Sequence, residues 1–180
     1  MANFIKYTLA VLLSLQLCGC NNEQKMYIIT KSLIGRNLNT DWQKQYIPNR
    51  NYEVIDKSDL SIVVYASDQL CDSCFISYIA ACKEYMNSYN MYDLNYLIIS
   101  SRPLNELEKA MLLSKDSETV TIIHDCDKMF LEKNHIEKYT DPYRAFLVNQ
   151  NKKILLIGDP VRNNNVANLY DKHIREYFNN

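Results

Sequence analysis

Glycine and proline are scarce in this sequence, which has 3 Gly and 4 Pro among 180 residues. Fibrous and low-complexity chains are rich in these residues, so neither class fits. Neither sign of charge is in excess, because the formal net charge is only -1. Nothing in this balance indicates a nucleic-acid partner. Hydrophobic residues make up 47% of the chain, which is enough for one core that does not depend on disulfides.

The apolar run near the N-terminus is too short to span a membrane. It covers Tyr7–Leu17 and follows the positive charge of Lys6, whereas a membrane-spanning helix needs about 20 apolar residues. A short apolar run behind a positive charge is typical of a signal peptide.

The end of this run, Leu17-Cys18-Gly19-Cys20, resembles the lipobox of bacterial lipoproteins: an aliphatic residue, two small residues and a cysteine. The resemblance implies that residues 1–19 are a signal peptide and that Cys20 becomes a lipidated N-terminus, held on a membrane by several acyl chains. The mature chain is then expected in the bacterial cell envelope, facing the periplasm or the cell exterior, where disulfides persist. A simple secretory leader or an uncleaved anchor is the alternative.

Strands and helices are predicted to alternate from residue 61 onward. Apolar, β-branched runs predict buried strands at 61–67, 94–100 and 119–125. A polar turn within 143–158 predicts a hairpin. Helical spacing and end signals predict helices at 72–90, 103–115, 128–139 and 163–178. We therefore expect residues 20–58 to be a tether and N-terminal extension, and residues 59–180 to be one α/β domain with a mixed sheet.

Two cysteines, Cys71 and Cys74, stand where the first predicted strand gives way to a helix. The unpaired N–H groups of a first helical turn stabilise a thiolate, and a thiolate is the reactive form of cysteine. In such a pair one thiol attacks a disulfide and the other resolves the mixed disulfide. A lone Cys-x-x-Cys is a weak signal, but this position in an exported chain strengthens it.

The order of elements resembles the thioredoxin-like fold: strand, Cys-x-x-Cys helix, strand, helix, strand, helix, Pro, β-hairpin and helix. More narrowly, it resembles the membrane-anchored TlpA/ResA group of thiol–disulfide oxidoreductases. The resemblance implies a three-layer sandwich, with a central mixed sheet flanked by helices and a C-terminal β-hairpin and helix. In that group a proline with a cis peptide bond faces the cysteines. The matching residue is Pro142, which is preceded by Asp141, and the two are expected to shape a substrate groove.

The resemblance also implies an enzyme in which Cys71 attacks and Cys74 resolves. Its expected partners are disulfide-containing exported proteins and a membrane-linked dithiol that supplies electrons, and no dissociable cofactor is needed. The sequence departs from thioredoxin itself at Leu70, where thioredoxin has Trp, and at Asp72-Ser73, where it has Gly-Pro. The negative charges of Asp68, Asp72 and Asp141 are expected to surround Cys71. Like charge disfavours a thiolate, which favours a reductase over an oxidant.

Other interpretations of the cysteines remain open. The alternatives for the pair are a stable disulfide without turnover, two inert thiols, or part of a non-catalytic binding lipoprotein, since fold does not imply function. A zinc site commonly requires a second close pair of ligands, which the sequence lacks. A copper-binding chaperone is the main alternative, with ligands drawn from Cys71, Cys74, His124 and Cys126. A peroxiredoxin is disfavoured because its Pro-x-x-x-Thr-x-x-Cys motif is absent.

The remaining mature cysteines, Cys82 and Cys126, have as alternatives a third redox thiol and a distant thiol partner, respectively. On an intact helix Cys82 lies about 16 Å along the axis from Cys71, beyond the reach of a disulfide. Its place on the apolar stripe predicts that it packs in the core. Cys126, which follows the third predicted strand, is predicted to be a half-buried free thiol.

Overall fold

The computed structural model describes residues 27–40, 58–66, 70–103, 105, 120–139 and 144–179. Outside these ranges lie the predicted signal peptide, Cys20, Asp141 and Pro142. Of the helix predicted at 103–115, only residues 103 and 105 are described. The chain divides into two compact units, Met1–Ile34 and Gly35–Asn180. In the first unit, residues 27–33 are helical. Within the described part of the chain, no helix combines the length and apolar character needed to cross a bilayer.

The second unit contains a five-stranded mixed sheet. Its strands are β1 (Leu60–Ala66), β2 (Leu94–Ser100), β3 (Val120–His124), β4 (Ala145–Asn149) and β5 (Ile154–Ile157). Their order across the sheet is β3-β2-β1-β4-β5. The first three strands run parallel, and β4 runs antiparallel to both β1 and β5. All seven residues of the central strand β1 are buried, as expected for a strand covered on both faces.

Helices cover both faces of this sheet: α1 (Asp72–Asn87), α2 (Met129–Asn134) and α3 (Asn164–Asn179). One face of β1 packs with α1 and α3, in a core that includes Ile62, Val64, Phe75, Ile79, Tyr170 and Ile174. On the other face, Tyr65 stacks on Phe130 of α2 with ring centroids 6.1 Å apart. Successive residues of a strand point to opposite faces, so β1 lies between two helical layers. The predicted thioredoxin-like three-layer α/β fold, with its mixed sheet and C-terminal hairpin and helix, is confirmed.

Two helices end earlier than the sequence predicts. Helix α1 ends at Asn87, and the N–H of Ser88 caps it by bonding to the carbonyls of Met86 and Tyr85. Helix α2 was predicted to extend to residue 139 but ends at Asn134, because His135 adopts a left-handed conformation with φ of 57°. A left-handed residue turns the chain out of the helical path and so terminates the helix.

A short segment of the N-terminal extension pairs with the hairpin. The N–H of Gly35 donates to the carbonyl of Ile154 at 2.9 Å, and the N–H of Ile154 donates to the carbonyl of Arg36 at 2.8 Å. The N–H of Leu38 donates to the carbonyl of Lys152 at 2.9 Å. These bonds occupy backbone groups at the outer edge of β5, which would otherwise be open to another strand.

The turn between β5 and α3 depends on Gly158, which suggests a stability test. Gly158 has a φ of +122°, and a Cβ there would lie 3.1 Å from Val166 Cγ2. We expect Gly158→Ala to lower the free energy of unfolding by roughly 1–3 kcal/mol, because it adds backbone strain and a close contact. Urea denaturation measures the loss.

The matched control is Gly35→Ala. Gly35 also has a positive φ, +83°, but a Cβ there would lie 3.8 Å from Lys153 Cε, which is an ordinary van der Waals distance. Only backbone strain then applies, at about 1 kcal/mol. Equal losses in the two variants would contradict the contribution assigned to Val166.

Candidate functional site

Cys71 and Cys74 form a disulfide at the start of α1, with their Cα atoms 5.1 Å apart. This separation lies within the usual range for bridged cysteines. Both residues are exposed. The predicted position of the pair, between the central strand and its helix, is therefore confirmed, while the attacking and resolving roles stay predictions.

The sulfur of Cys71 takes the place of a capping oxygen on α1. Cys71 is the N-cap residue with an extended backbone, and its Sγ accepts a hydrogen bond from the N–H of Cys74 at 3.2 Å. Ser73 Oγ lies 3.3 Å from the same sulfur. In the disulfide this sulfur carries no hydrogen, so the hydroxyl of Ser73 is the donor. The same donors, with the positive end of the helix dipole, favour negative charge on Cys71 when the bridge opens.

The negative charge next to Cys71 is offset by an arginine, which corrects the sequence interpretation for Asp72. Asp72 Oδ1 lies 2.6 Å from Arg102 Nη1. Arg102 comes just after β2, and 30 residues separate the two partners. Asp68 and Asp141, the other two predicted negative charges, lie outside the described residues. The carboxylate of the residue that follows Cys71 is therefore part of an ion pair.

Arg102 also stacks on the first apolar side chain of α1. Its guanidinium carbon lies 4.5 Å from the centroid of the Phe75 ring, and Phe75 is fully buried. Such a cation–π contact adds attraction to the ion pair. Sequence reasoning missed Arg102, because a single arginine after a strand carries no local signal of its partners.

A polar cluster lies beneath the helix, formed by the buried residues Tyr78, Tyr96 and Asp159 and by the exposed residue Arg162. The hydroxyl of Tyr78 donates to Asp159 Oδ2 at 2.8 Å and lies 3.0 Å from the hydroxyl of Tyr96, which must then be the donor to Tyr78. Arg162 Nε lies 3.4 Å from Asp159 Oδ2. Tyr78 is one helical turn beyond Cys74, so the cluster joins the site helix to β2 and to the turn after β5. Sequence reasoning did not find this cluster.

Burial governs ionisation in the cluster. It raises the pKa of the Asp159 carboxyl above its usual value, despite the opposing effects of the hydrogen bonds and of Arg162. It also raises the pKa of Tyr78 well above 10.0. Both effects follow from the cost of placing charge in a poorly solvated interior.

The two remaining described cysteines differ in environment. Cys82 is completely buried in the core, and burial raises the pKa of its thiol to about 12, so it stays protonated and unreactive near neutral pH. The prediction that Cys82 packs in the core is confirmed. Cys126 is exposed, which corrects the prediction of a half-buried thiol: it lies in the turn between β3 and α2, beyond the last strand residue.

Metal ligands do not gather in the described part of the chain. Among those residues, no group of three or more His, Cys, Asp or Glu side chains is placed to hold a metal ion. The copper-binding alternative therefore gains no supporting observation.

Comparison with known proteins finds likeness only at the level of structure. No protein-family model matches the sequence, and no curated protein matches it. A thiol:disulfide interchange protein from Bacteroides sp., known from its solution structure, is 16% identical over 79% of this chain and 86% of its own, with a TM-score of 0.49.

Two crystal structures are similar as well. The thioredoxin domain of a thiol-disulfide oxidoreductase from Bacteroides vulgatus is 18% identical over 66% of this chain and 81% of its own, with a TM-score of 0.44. A thioredoxin-like protein from Parabacteroides distasonis is 11% identical over 63% of this chain and 81% of its own, with a TM-score of 0.43. The fold assignment rests on the strand order given above.

The raised pKa of Asp159 predicts a pH-dependent stability. The native state holds the proton of Asp159 more tightly than the unfolded chain does. The proton on Asp159 therefore stabilises the fold fully below the pKa that this carboxyl has in the unfolded chain. This stabilisation is lost as pH rises through the higher pKa of the folded state. We expect the free energy of unfolding of the wild type, relative to Asp159→Asn, to fall between pH 4 and pH 7 in urea denaturation.

Asp171→Asn on α3 is the matched control, because it removes a carboxylate whose side chain is 43% exposed. The free energy of unfolding of the wild type relative to Asp171→Asn should not show the fall with pH that is expected relative to Asp159→Asn. A difference between the wild type and Asp159→Asn that stays constant with pH would contradict the assigned role of burial.

Proposed function

We propose that this chain is an extracytoplasmic thiol–disulfide oxidoreductase that reduces disulfides of exported proteins. The observation that carries the proposal is the exposed Cys71–Cys74 disulfide at the start of α1, in which Cys71 Sγ accepts the backbone N–H of Cys74 and so caps the helix. A bridge that serves only to staple a fold usually closes a long loop. This one joins residues three apart in sequence and lies at the surface, where another protein can reach it.

The proposed reaction transfers two electrons from the dithiol to a substrate disulfide. The thiolate of Cys71 attacks one substrate sulfur, so that a mixed disulfide forms and the other substrate sulfur leaves as a thiolate. The thiolate of Cys74 then attacks the Cys71 sulfur, which closes the Cys71–Cys74 bridge and releases the second substrate thiolate. The leaving thiolates take up protons. A membrane-linked dithiol donor would reduce the bridge for the next cycle.

The backbone N–H of Cys74 has a defined role in these reaction steps. It donates to Cys71 Sγ in the disulfide, and the same contact favours negative charge on that sulfur in the dithiol. Cys71 is the better nucleophile of the pair because it occupies the capping position. We further propose that Asp141 and Pro142 shape the groove in which a substrate strand pairs with the backbone.

The proposal also includes a place for the protein. A lipid on Cys20 would hold the chain on a membrane of the bacterial cell envelope, facing the periplasm or the cell exterior. This part rests on the sequence, namely the apolar run and the lipobox-like residues that end at Cys20.

Single cysteine variants test the catalytic roles. Cys71→Ser should reduce turnover to the uncatalysed rate in an insulin-reduction assay, since no attacking thiolate remains. Cys74→Ser should accumulate mixed disulfides, which non-reducing electrophoresis and mass spectrometry detect, because the resolving thiol is missing. Cys126→Ser removes an exposed thiol outside the pair and is the matched control, expected to keep wild-type turnover. The redox proposal fails if Cys71→Ser and Cys74→Ser both behave as the wild type does.

A redox titration with thiol alkylation fixes the direction of electron flow. Cys71 and Cys74 should titrate together as one two-electron couple. A midpoint near or below about -270 mV, the value for thioredoxin, agrees with a reductase, whereas one near about -120 mV indicates an oxidant. A bridge that no accessible potential opens would exclude catalysis and leave a binding module as the better explanation.

Lipidation has its own test. We expect Cys20→Ser to move the protein from the membrane fraction to the soluble fraction of the cell envelope and to remove the acylated N-terminal peptide from mass spectra. Cys18→Ser is the matched control, because Cys18 precedes the expected cleavage site, and it should leave both readouts unchanged. Retention of Cys20→Ser in the membrane would argue against a lipid anchor at this residue.

A further inference from the structure

We propose that Arg102 is a positioning residue that sets the charge at the redox pair: its ion pair with Asp72 offsets the carboxylate between the two cysteines and thereby tunes the reactivity of Cys71 and the potential of the disulfide. The inference rests on the proposed function, because it assigns a role to Arg102 in that same site. It adds a residue from the segment after β2 to a site otherwise built by α1.

The geometry ties Arg102 to the dipeptide inside the Cys-x-x-Cys motif. Asp72 directly follows Cys71, and its Oδ1 lies 2.6 Å from Arg102 Nη1. The Asp72 side chain is 69% exposed, whereas that of Arg102 is 12% exposed. The carboxylate is therefore the solvated partner, and the arginine is the largely buried one.

Phe75 also contacts Arg102. The guanidinium lies over the Phe75 ring at 4.5 Å, and that ring is held in the core of the domain. A guanidinium is planar, so it stacks with its face while its edge donates to a carboxylate. Arg102 thus makes both contacts with the first turn of α1 at once.

The charge at Cys71 depends on both partners. A carboxylate next to the sulfur disfavours a thiolate, and a nearby cation favours it. When the two lie 2.6 Å apart, much of their effect on a third group cancels. Removal of either partner takes away one of the two opposing charges near Cys71, so the two removals should act in opposite directions.

The test uses the full-length chain in detergent. Arg102→Gln should slow alkylation of Cys71 by iodoacetamide at pH 7 about threefold, because an uncompensated Asp72 disfavours the thiolate. The equilibrium constant with glutathione should shift about threefold in favour of the Cys71–Cys74 disulfide, which corresponds to a potential about 14 mV more negative. Asp72→Asn should speed alkylation and raise the potential by similar factors. The double variant should return close to wild-type values.

Two controls separate charge from packing. Arg175→Gln removes one positive charge from the exposed Arg175–Asp171 pair on α3, and it should leave the potential and the alkylation rate unchanged. Arg102→Lys keeps the charge but loses the planar guanidinium. It should hold both readouts near wild-type values even if thermal stability falls. Asp72→Asn alters an exposed side chain, so it serves as a test even if Arg102→Gln folds poorly.

The outcomes distinguish this inference from the proposed function. If Arg102→Gln lowers the melting temperature while neither variant moves the potential or the alkylation rate, Arg102 acts only in packing and the inference is overturned, whereas the oxidoreductase proposal stands. If Cys71 and Cys74 fail to titrate as a couple in the wild type as well, both are overturned. Opposite shifts in the two single variants, cancelled in the double variant, support the inference.

Discussion

The central strand β1 is buried along its whole length, with β2 and β4 on its two edges and helices over its two faces. Each large aliphatic side chain buried in this way contributes about 1.5–3 kcal/mol, so this strand anchors the sheet. Strand β1 ends at Ala66, and α1 begins at Asp72 with Cys71 as its N-cap residue.

The parallel pairing of β1 and β2 determines which distant residue contacts the helix turn that carries the cysteines. Because β1 and β2 run parallel, their carboxyl ends reach the same edge of the sheet, and the residues after each strand become neighbours. Arg102, just beyond β2, is brought in this way to Asp72 in the first turn of α1. The ion pair in the first turn of α1 is therefore a product of sheet topology as much as of the helix that carries Asp72.

The core beneath the site helix is not uniformly apolar. Tyr78, Tyr96 and Asp159 form hydrogen bonds within it, and buried polar groups are costly unless they are satisfied. Satisfied networks of this kind strengthen when shielded from water and favour one packing arrangement over others. Asp159 thus ties the turn after β5 to α1 through a contact that a hydrophobic side chain would not specify.

The sequence by itself determined the five strands and the three helices of the described domain, the place of the cysteine pair between strand and helix, and the burial of Cys82, because each follows from a pattern of neighbouring residues. Only the tertiary structure decided the early end of α2 at Asn134 and the pairing of Arg102 with Asp72. It also brought Asp159 to Tyr78 across 81 residues. Local periodicity specifies which face of an element is buried. It does not specify which distant side chain meets that face, because this depends on strand order and on the conformation of single residues.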